Sequence, residues 1–193
     1  MTQDKSINKV HKFSHHSLVK EHLIKQSELF INCDYLVNRE IDTSENGQSP
    51  YAVVVTCCDS RVSPERIFGA YLGELFTIRT AGNTIGNLEL GSIEYGVQVL
   101  KAKAIIVMGH TGCGAVAVAL EGKADGNMQH IVDEIQLAIK SETTPSIAEE
   151  LNIKHSINKI MSSAIISNFV KEDKLSILPA IYNTKSGSVN FLN

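Results

Sequence analysis

Three short, unbroken apolar runs, AVVVT at 52–56, LFTIR at 75–79 and AIIVMG at 104–109, limit the fold more than any other feature of the chain. Each is far too short to span a membrane and too continuous for a strand with one wet face. A strand buried on both faces is the reading that remains, and it is the habit of parallel sheets covered by helices on each side. Between the last two runs, GSIEYGVQVL at 91–100 carries a helical pattern. Strand, helix and strand therefore alternate as in a βαβ unit, and an α/β fold with a mainly parallel central sheet is expected.

Helical periodicity also marks residues 13–31, where Phe13, Leu18, Val19, Leu23, Ile24, Phe30 and Ile31 make one apolar stripe and His11, His15, His16 and His22 fall with the charged residues on a solvated face. The turn-rich DTSENGQSP at 42–50 separates this helix from the first apolar run. Past His110, a helix is predicted to start near Cys113, another to cover 127–140, and Pro145 to open one long helical stretch running to about residue 170. The tail from 175 to 192 reads as a strand, a turn at Lys185 to Gly187, and a short pairing strand. No repeat or linker divides the chain, so one domain over 1–193 with a helical arm at 1–45 is expected.

A chain of this size buries roughly 70% of its unfolded surface and needs no metal merely to acquire a core. A metal, if held, is then there for function. The formal charge of −3, without a Lys/Arg block, argues against nucleic acid or an anionic membrane as partner. No stretch is long and apolar enough for a membrane span, and MTQDKSINKV lacks the apolar core of a signal peptide. A cytoplasmic location is expected.

The four cysteines, Cys33, Cys57, Cys58 and Cys113, include an adjacent pair, a poor framework for disulfides and an invitation to metal ligation or catalysis. Two clusters of chemistry-bearing residues follow apolar runs directly: Cys57-Cys58-Asp59-Ser60-Arg61 after the first, and His110-Thr111-Gly112-Cys113-Gly114 after the third. Open α/β sheets build their sites at the carboxyl ends of parallel strands. Two thiolates and one imidazole suit zinc and leave a fourth tetrahedral position for water. Along an extended chain Cys57 and Asp59 face one way and Cys58 the other, which selects Cys57 as the thiol that joins the carboxylate. Against this stand plainer readings. A cysteine after a buried strand is often only a small core hydrophobe, as expected for Cys58 and Cys33, and Asp59 with Arg61 is also a suitable structural ion pair.

CCDSRVSPERIF, IRTAGN and GSIEYGVQVLKAKAIIVMGHTGCGAV together resemble the successive motifs of the β-class carbonic anhydrases, C-x-D-S-R, R-N-x-A-N and H-x-x-C, and the likeness extends from Gln48-Ser49-Pro50 to the YNTKSGSVNFL ending. The resemblance implies one zinc ion per chain held by Cys57, His110 and Cys113. It implies reversible hydration of carbon dioxide to bicarbonate by zinc-bound hydroxide, with Asp59 accepting its hydrogen bond and Arg61 holding Asp59. It further implies that Gln48, Phe76, Tyr95 and the backbone of Gly114 contact substrate, Phe76 and Tyr95 coming from the neighbouring subunit. The implied assembly is a sheet of about four parallel strands with an antiparallel edge, paired into a homodimer or a dimer of dimers, with the N-terminal helix packed on the partner.

Two departures bear on regulation and turn geometry. Thr80 stands where the family usually has asparagine, and Val54 and Thr56 stand where the bicarbonate-regulated subtype has tryptophan and glycine. With Arg79 alone retained from that regulatory pocket, the unregulated, open-site subtype is expected. Hydrolysis of carbonyl sulfide or carbon disulfide at the same zinc site is the alternative activity. His130 and His155 are candidate proton shuttles, each expected to be an ordinary solvated helix position.

Overall fold

The computed structural model describes residues 47–139 and 143–193. The amphipathic helix expected over 13–31 with its histidines, the arm at 1–45 and Cys33 lie outside the described residues.

Strands β1 (Ala52–Cys57), β2 (Leu75–Thr80), β3 (Ala104–His110), β4 (Ser176–Tyr182) and β5 (Val189–Phe191) form one sheet in the order β2-β1-β3-β4-β5. The first four run parallel, and β5 turns back antiparallel against β4. Each of the three apolar runs is a strand of the parallel part, and β1 is buried at all six positions. Its register places Thr56 beside Met108 of β3 and Cys57 beside Thr80 of β2. All four parallel strands thus end along one edge, where Cys57 closes β1 and His110 closes β3.

Helices α1 (Pro64–Phe68), α2 (Asn87–Gln98), α3 (Gly114–Glu121), α4 (Met128–Gln136), α5 (Pro145–Met161) and α6 (Ala164–Lys171) connect and cover the strands. On one face Val53, Val55, Ile105 and Val107 pack with Ile93 and Val97 of α2, Ile153 and Ile160 of α5 and Ile166 of α6. Alternate residues Val54, Ile106 and Met108 fill the other face with Val62, Ala180 and flanking Ile67 and Phe68. Full burial of a Val or Ile side chain contributes roughly 1.5–3 kcal/mol, so β1 and β3 anchor the domain. A third apolar cluster, with Val116, Ala119, Val132, Ile135 and Ala148, sits beyond the strand ends among α3, α4 and α5 and includes Cys57 and Cys113.

Three helix expectations shift. Helix α2 starts at Asn87 rather than 91, because Glu89 reaches back to the Gly86 N–H (2.9 Å) and closes the first turn. Helix α4 ends at Gln136, short of 140. The single stretch expected from Pro145 to about 170 is two helices, since Ser163 turns extended (φ −68°, ψ 121°) and its hydroxyl accepts from the Ile166 N–H at 3.3 Å to cap α6. Periodicity survives that break, which is why the sequence pattern runs through it.

Candidate functional site

Cys57 is the last residue of β1 and His110 the last of β3, while Cys113 is the N-cap of α3. Buried strands deliver the first two, and the tight loop His110–Gly114, with Gly112 at φ +68°, brings the third back to them. The ligand atoms of the three lie within 4.8 Å of one another, the two sulfurs 4.0 Å apart, and all three residues are buried. Cys58 is exposed and is not one of the three.

Several polar atoms already face this cluster. The Gly82 N–H donates to Cys57 Sγ at 3.3 Å from the 3-10 turn Ala81–Asn83. His110 Nδ1 lies 3.1 Å from the Thr111 carbonyl, and assigning the ring proton there leaves Nε2 as the lone-pair nitrogen. Nε2 is buried with no hydrogen-bond partner. An orphaned buried nitrogen costs free energy unless something completes it, and a divalent cation between it and two sulfurs would do so. The electrostatics agree: the hydrogen bond with Cys113 holds Cys57 well below the usual thiol range, and the same contact together with burial pushes Cys113 above it. Burial presses His110 down, but the neighbouring Cys57 sulfur more than offsets it. A lone-pair nitrogen and two sulfurs, one of them held toward the thiolate, converge within 4.8 Å, so the donor set fits a soft metal ion.

Asp59 and Arg61 stand at the rim. The Arg61 guanidinium donates from Nε to Asp59 Oδ1 (2.9 Å) and from Nη2 to Oδ2 (2.7 Å), and the Arg61 N–H also donates to Oδ1 (2.9 Å). Nη2 further donates to the Gly112 carbonyl (3.1 Å), which ties the pair to the loop that carries Cys113. Asp59 Oδ2 lies 3.8 Å from His110 Nε2, so the carboxylate faces the cluster. Arg61 holds the Asp59 carboxyl below the usual carboxylate range, against its partial burial. Arg79 braces the same loop from β2, donating from Nε to the Cys57 carbonyl (3.2 Å) and from Nη2 to the Asp59 carbonyl (2.8 Å).

Glu149, absent from the sequence reading, holds the other side. Buried on α5, it accepts at Oε1 from the N–H groups of Gly112 (2.7 Å) and Cys113 (3.1 Å). One turn on, Asn152 donates to the Gly82 carbonyl (2.6 Å), and Ser156 meets Asn83 through the Asn83 amide donor (3.1 Å). Glu149, Asn152 and Ser156 recur at helical spacing beside buried Ala148, Ile153 and Ile160. Polar residues on an otherwise apolar helix stripe were the available signal.

The substrate-contact candidates are dispersed. Gln48 is exposed in the segment before β1. Phe76 on edge strand β2 and Tyr95 on α2 touch one another, ring centroids 5.9 Å apart, with Phe76 half-buried against the core and Tyr95 44% exposed. Only Gly114, next to Cys113, adjoins the cluster within this chain. Thr80, in place of asparagine, donates its hydroxyl to the Thr84 carbonyl (2.7 Å) and closes the turn that carries Gly82. Val54 and Thr56 are fully buried, the Thr56 hydroxyl bonded to the Met108 carbonyl (2.7 Å), so packed side chains occupy that face. His130 is exposed on α4. His155 departs from the solvated position expected of it: it is half-buried, and its Nε2 meets Glu134 Oε1 at 2.7 Å, with Lys159 on the same carboxylate.

The model of the carbonic anhydrase family matches residues 52–189. "Carbonic anhydrase 2" of Mycobacterium tuberculosis is 34% identical over 152 residues, 73% of each chain, and the "Carbonic anhydrase" of Mycolicibacterium smegmatis is 51% identical over 81 residues, 42% of this chain and 39% of that one. The crystal structure of a β-carbonic anhydrase of Aspergillus fumigatus superposes with a TM-score of 0.80 at 25% identity, covering 91% of both chains. A mainly parallel sheet with an antiparallel edge, a buried Cys-His-Cys cluster at the strand ends, and these likenesses converge: the chain belongs to the carbonic anhydrase family, in its β class.

Proposed function

We propose that the chain catalyses the reversible hydration of carbon dioxide to bicarbonate and a proton, with zinc held by Cys57, His110 and Cys113. The observation that carries this reading is the pairing of that buried soft-donor cluster with a bidentate Asp59–Arg61 pair whose Asp59 Oδ2 lies 3.8 Å from His110 Nε2. Zinc bound there would supply the Lewis acidity that lets water lose a proton near neutral pH.

The chain's own residues supply the rest. The Gly82 N–H bonded to Cys57 and the Glu149 carboxylate that receives the Cys113 N–H fix the positions of both sulfurs, and the Thr111 carbonyl fixes the imidazole. Asp59 is acceptor only, because Arg61 keeps it ionised, so it receives a hydrogen bond from the attacking oxygen and turns that oxygen's lone pair toward the substrate carbon. Release of Arg61 would free the same carboxylate to turn toward the metal position, which makes the pair a catalyst in one arrangement and a lock in the other. Phe76 and Tyr95 sit by β2, which has no strand partner on its outer side among the described residues, and exposed Leu88 and Val99 flank them on and just beyond α2. That apolar edge supports a homodimer in which Gln48, Phe76 and Tyr95 serve the partner's site, and pairing of dimers into a tetramer is compatible with it. Among the described residues Cys57, Cys58 and Cys113 are free thiols, which supports a reducing, cytoplasmic setting, and no helix there is long and apolar enough to cross a membrane.

Stopped-flow hydration of carbon dioxide by the zinc-loaded chain, beside metal analysis, tests the reading. Zinc at about one per chain with no hydration would overturn it. Sulfide release from carbonyl sulfide or carbon disulfide, exceeding hydration, would replace it with the alternative hydrolase.

A further inference from the structure

One face of α5 holds both of the loops that reach the two sulfurs. Glu149 holds the loop of Gly112 and Cys113, and farther along the same face Asn152 and Ser156 hold the turn that carries Gly82. That turn supplies the N–H that donates to Cys57 Sγ at 3.3 Å. Its backbone is strained. Gly82 (φ +65°) and Asn83 (φ +48°) are left-handed in succession, whereas chains of L-residues visit that region one residue at a time.

Three buried side chains offset the strain. Asn152 Nδ2 donates to the Gly82 carbonyl at 2.6 Å, and Asn83 Nδ2 donates to Ser156 Oγ at 3.1 Å. The Ser156 hydroxyl reaches back to the Asn83 carbonyl at 2.9 Å, sharing its proton with the Asn152 carbonyl at 3.0 Å. Asn83, Asn152 and Ser156 are 2%, 1% and 1% exposed, so bulk water does not replace these bonds. Asn152 also shows which bond its position is kept for. Its Oδ1 is buried without a partner, a cost that an apolar side chain of the same size would avoid. What the amide offers in return is its one donated bond, to the residue whose N–H faces the sulfur.

An N–H aimed at a thiolate withdraws charge from it, so the sulfur gives less to a bound cation and the cation keeps more of its Lewis acidity. Two thiolates cancel much of a divalent charge, and this bond works against that loss. We propose that Asn152 and Ser156 are positioning residues for the reaction: by locking Gly82 in its left-handed turn they keep its N–H on Cys57 Sγ, and so set how acidic a metal at this site is. The inference rests on the carbonic anhydrase reading and names what tunes its metal.

Asn152→Leu in the full chain keeps the volume and removes the donor. With cobalt(II) in place of zinc, its sulfur-to-metal charge-transfer absorption should move to longer wavelength, because a thiolate without its N–H donor gives up an electron more easily. In the zinc-loaded variant the midpoint of the pH–rate profile should rise by about one unit, so that hydration at pH 7 falls about tenfold and recovers as pH is raised. Ser156→Ala, which leaves the Asn152 bond in place, should move both readouts the same way by less, and it carries the test if Asn152→Leu does not fold. A merely structural tie would lower the urea midpoint of either variant and shift neither absorption nor pH midpoint; that result, at about one zinc per chain, would overturn the proposal. An unaltered chain that binds zinc and hydrates no carbon dioxide would instead remove the reading beneath it, with the cobalt absorption still reporting on the bond.

Discussion

Cys57, His110 and Cys113 are 4%, 1% and 4% exposed, whereas the side chains of Asp59 and Arg61, only two to four residues past Cys57, are 17% and 54% exposed. The first group is held by the core: two of its members end buried parallel strands, and backbone and side-chain groups from the 3-10 turn and α5 pin the sulfurs. The second is held mainly by a local turn, its fork of hydrogen bonds closing over two residues, with Gly112 and Arg79 as distant anchors. A buried set resists change and keeps a fixed geometry. A rim pair in solvent is free to open, which is what a group that alternates between two partners requires.

The largest expected effect breaks the buried side. Cys57→Ser should reduce bound zinc from about one per chain to near none and take hydration with it, while Cys58→Ser, an exposed thiol outside the cluster, should leave both intact. Loss of zinc from Cys58→Ser would reassign the ligand. On the rim side, Asp59→Asn should keep the metal yet lower kcat by about 10² to 10⁴, the range of one positioned acid–base group. Near-full turnover in that variant would reduce the pair to a structural bridge.

Glu149→Ala sharpens the contrast, because it alters no residue of the donor cluster and still strips the Gly112 N–H and the buried Cys113 N–H of their acceptor. Zinc affinity, measured by chelator competition, should fall about 10- to 100-fold, and Glu149→Gln, which keeps one acceptor oxygen, should recover part of it. Gly82→Ala tests how tightly the core holds the sulfur. Its Cβ would lie 2.8 Å from Ile135 Cδ1 and 3.2 Å from Ala115 Cβ at a φ of +65°, so urea unfolding should show a loss of about 2–4 kcal/mol.

The smallest effect concerns pH. A carboxyl held below its ordinary range contributes stability that is complete above that range and disappears only as pH falls through the lowered value, so the Asp59–Arg61 pair stays ionised from pH 6 to 9. Val54 and Thr56 are buried in the sheet, and if no bicarbonate pocket forms beside them the ligand has no closed state to favour. Between about pH 7 and 8 the rate should follow a single proton, with or without added bicarbonate. A rate rising with the second power of hydroxide would show a lock working through other residues.

The strands were legible because burial on both faces leaves an unbroken apolar run, and the motif positions were legible because each follows such a run directly. The break at Ser163 was not, since a helix pattern continues in register through a two-residue interruption. Glu149 was hidden for another reason. A carboxylate in a seventeen-residue helix reads as a solvated position, and only the packing of α5 across the strand ends turns it inward to the Cys113 loop.

By itself, then, the sequence determined the parallel α/β architecture and named the three candidate donors that the fold brings together, because hydrophobic continuity and residue chemistry are local properties. Tertiary structure alone decided that Cys57 and Cys113, 56 residues apart, meet at 4.0 Å, that His110 keeps a buried nitrogen without a partner, and that an apolar cavity lies between α3 and α4 nearby. Those are consequences of strand register and of helices packed across the sheet's carboxyl edge, distances in space that no spacing along the chain encodes.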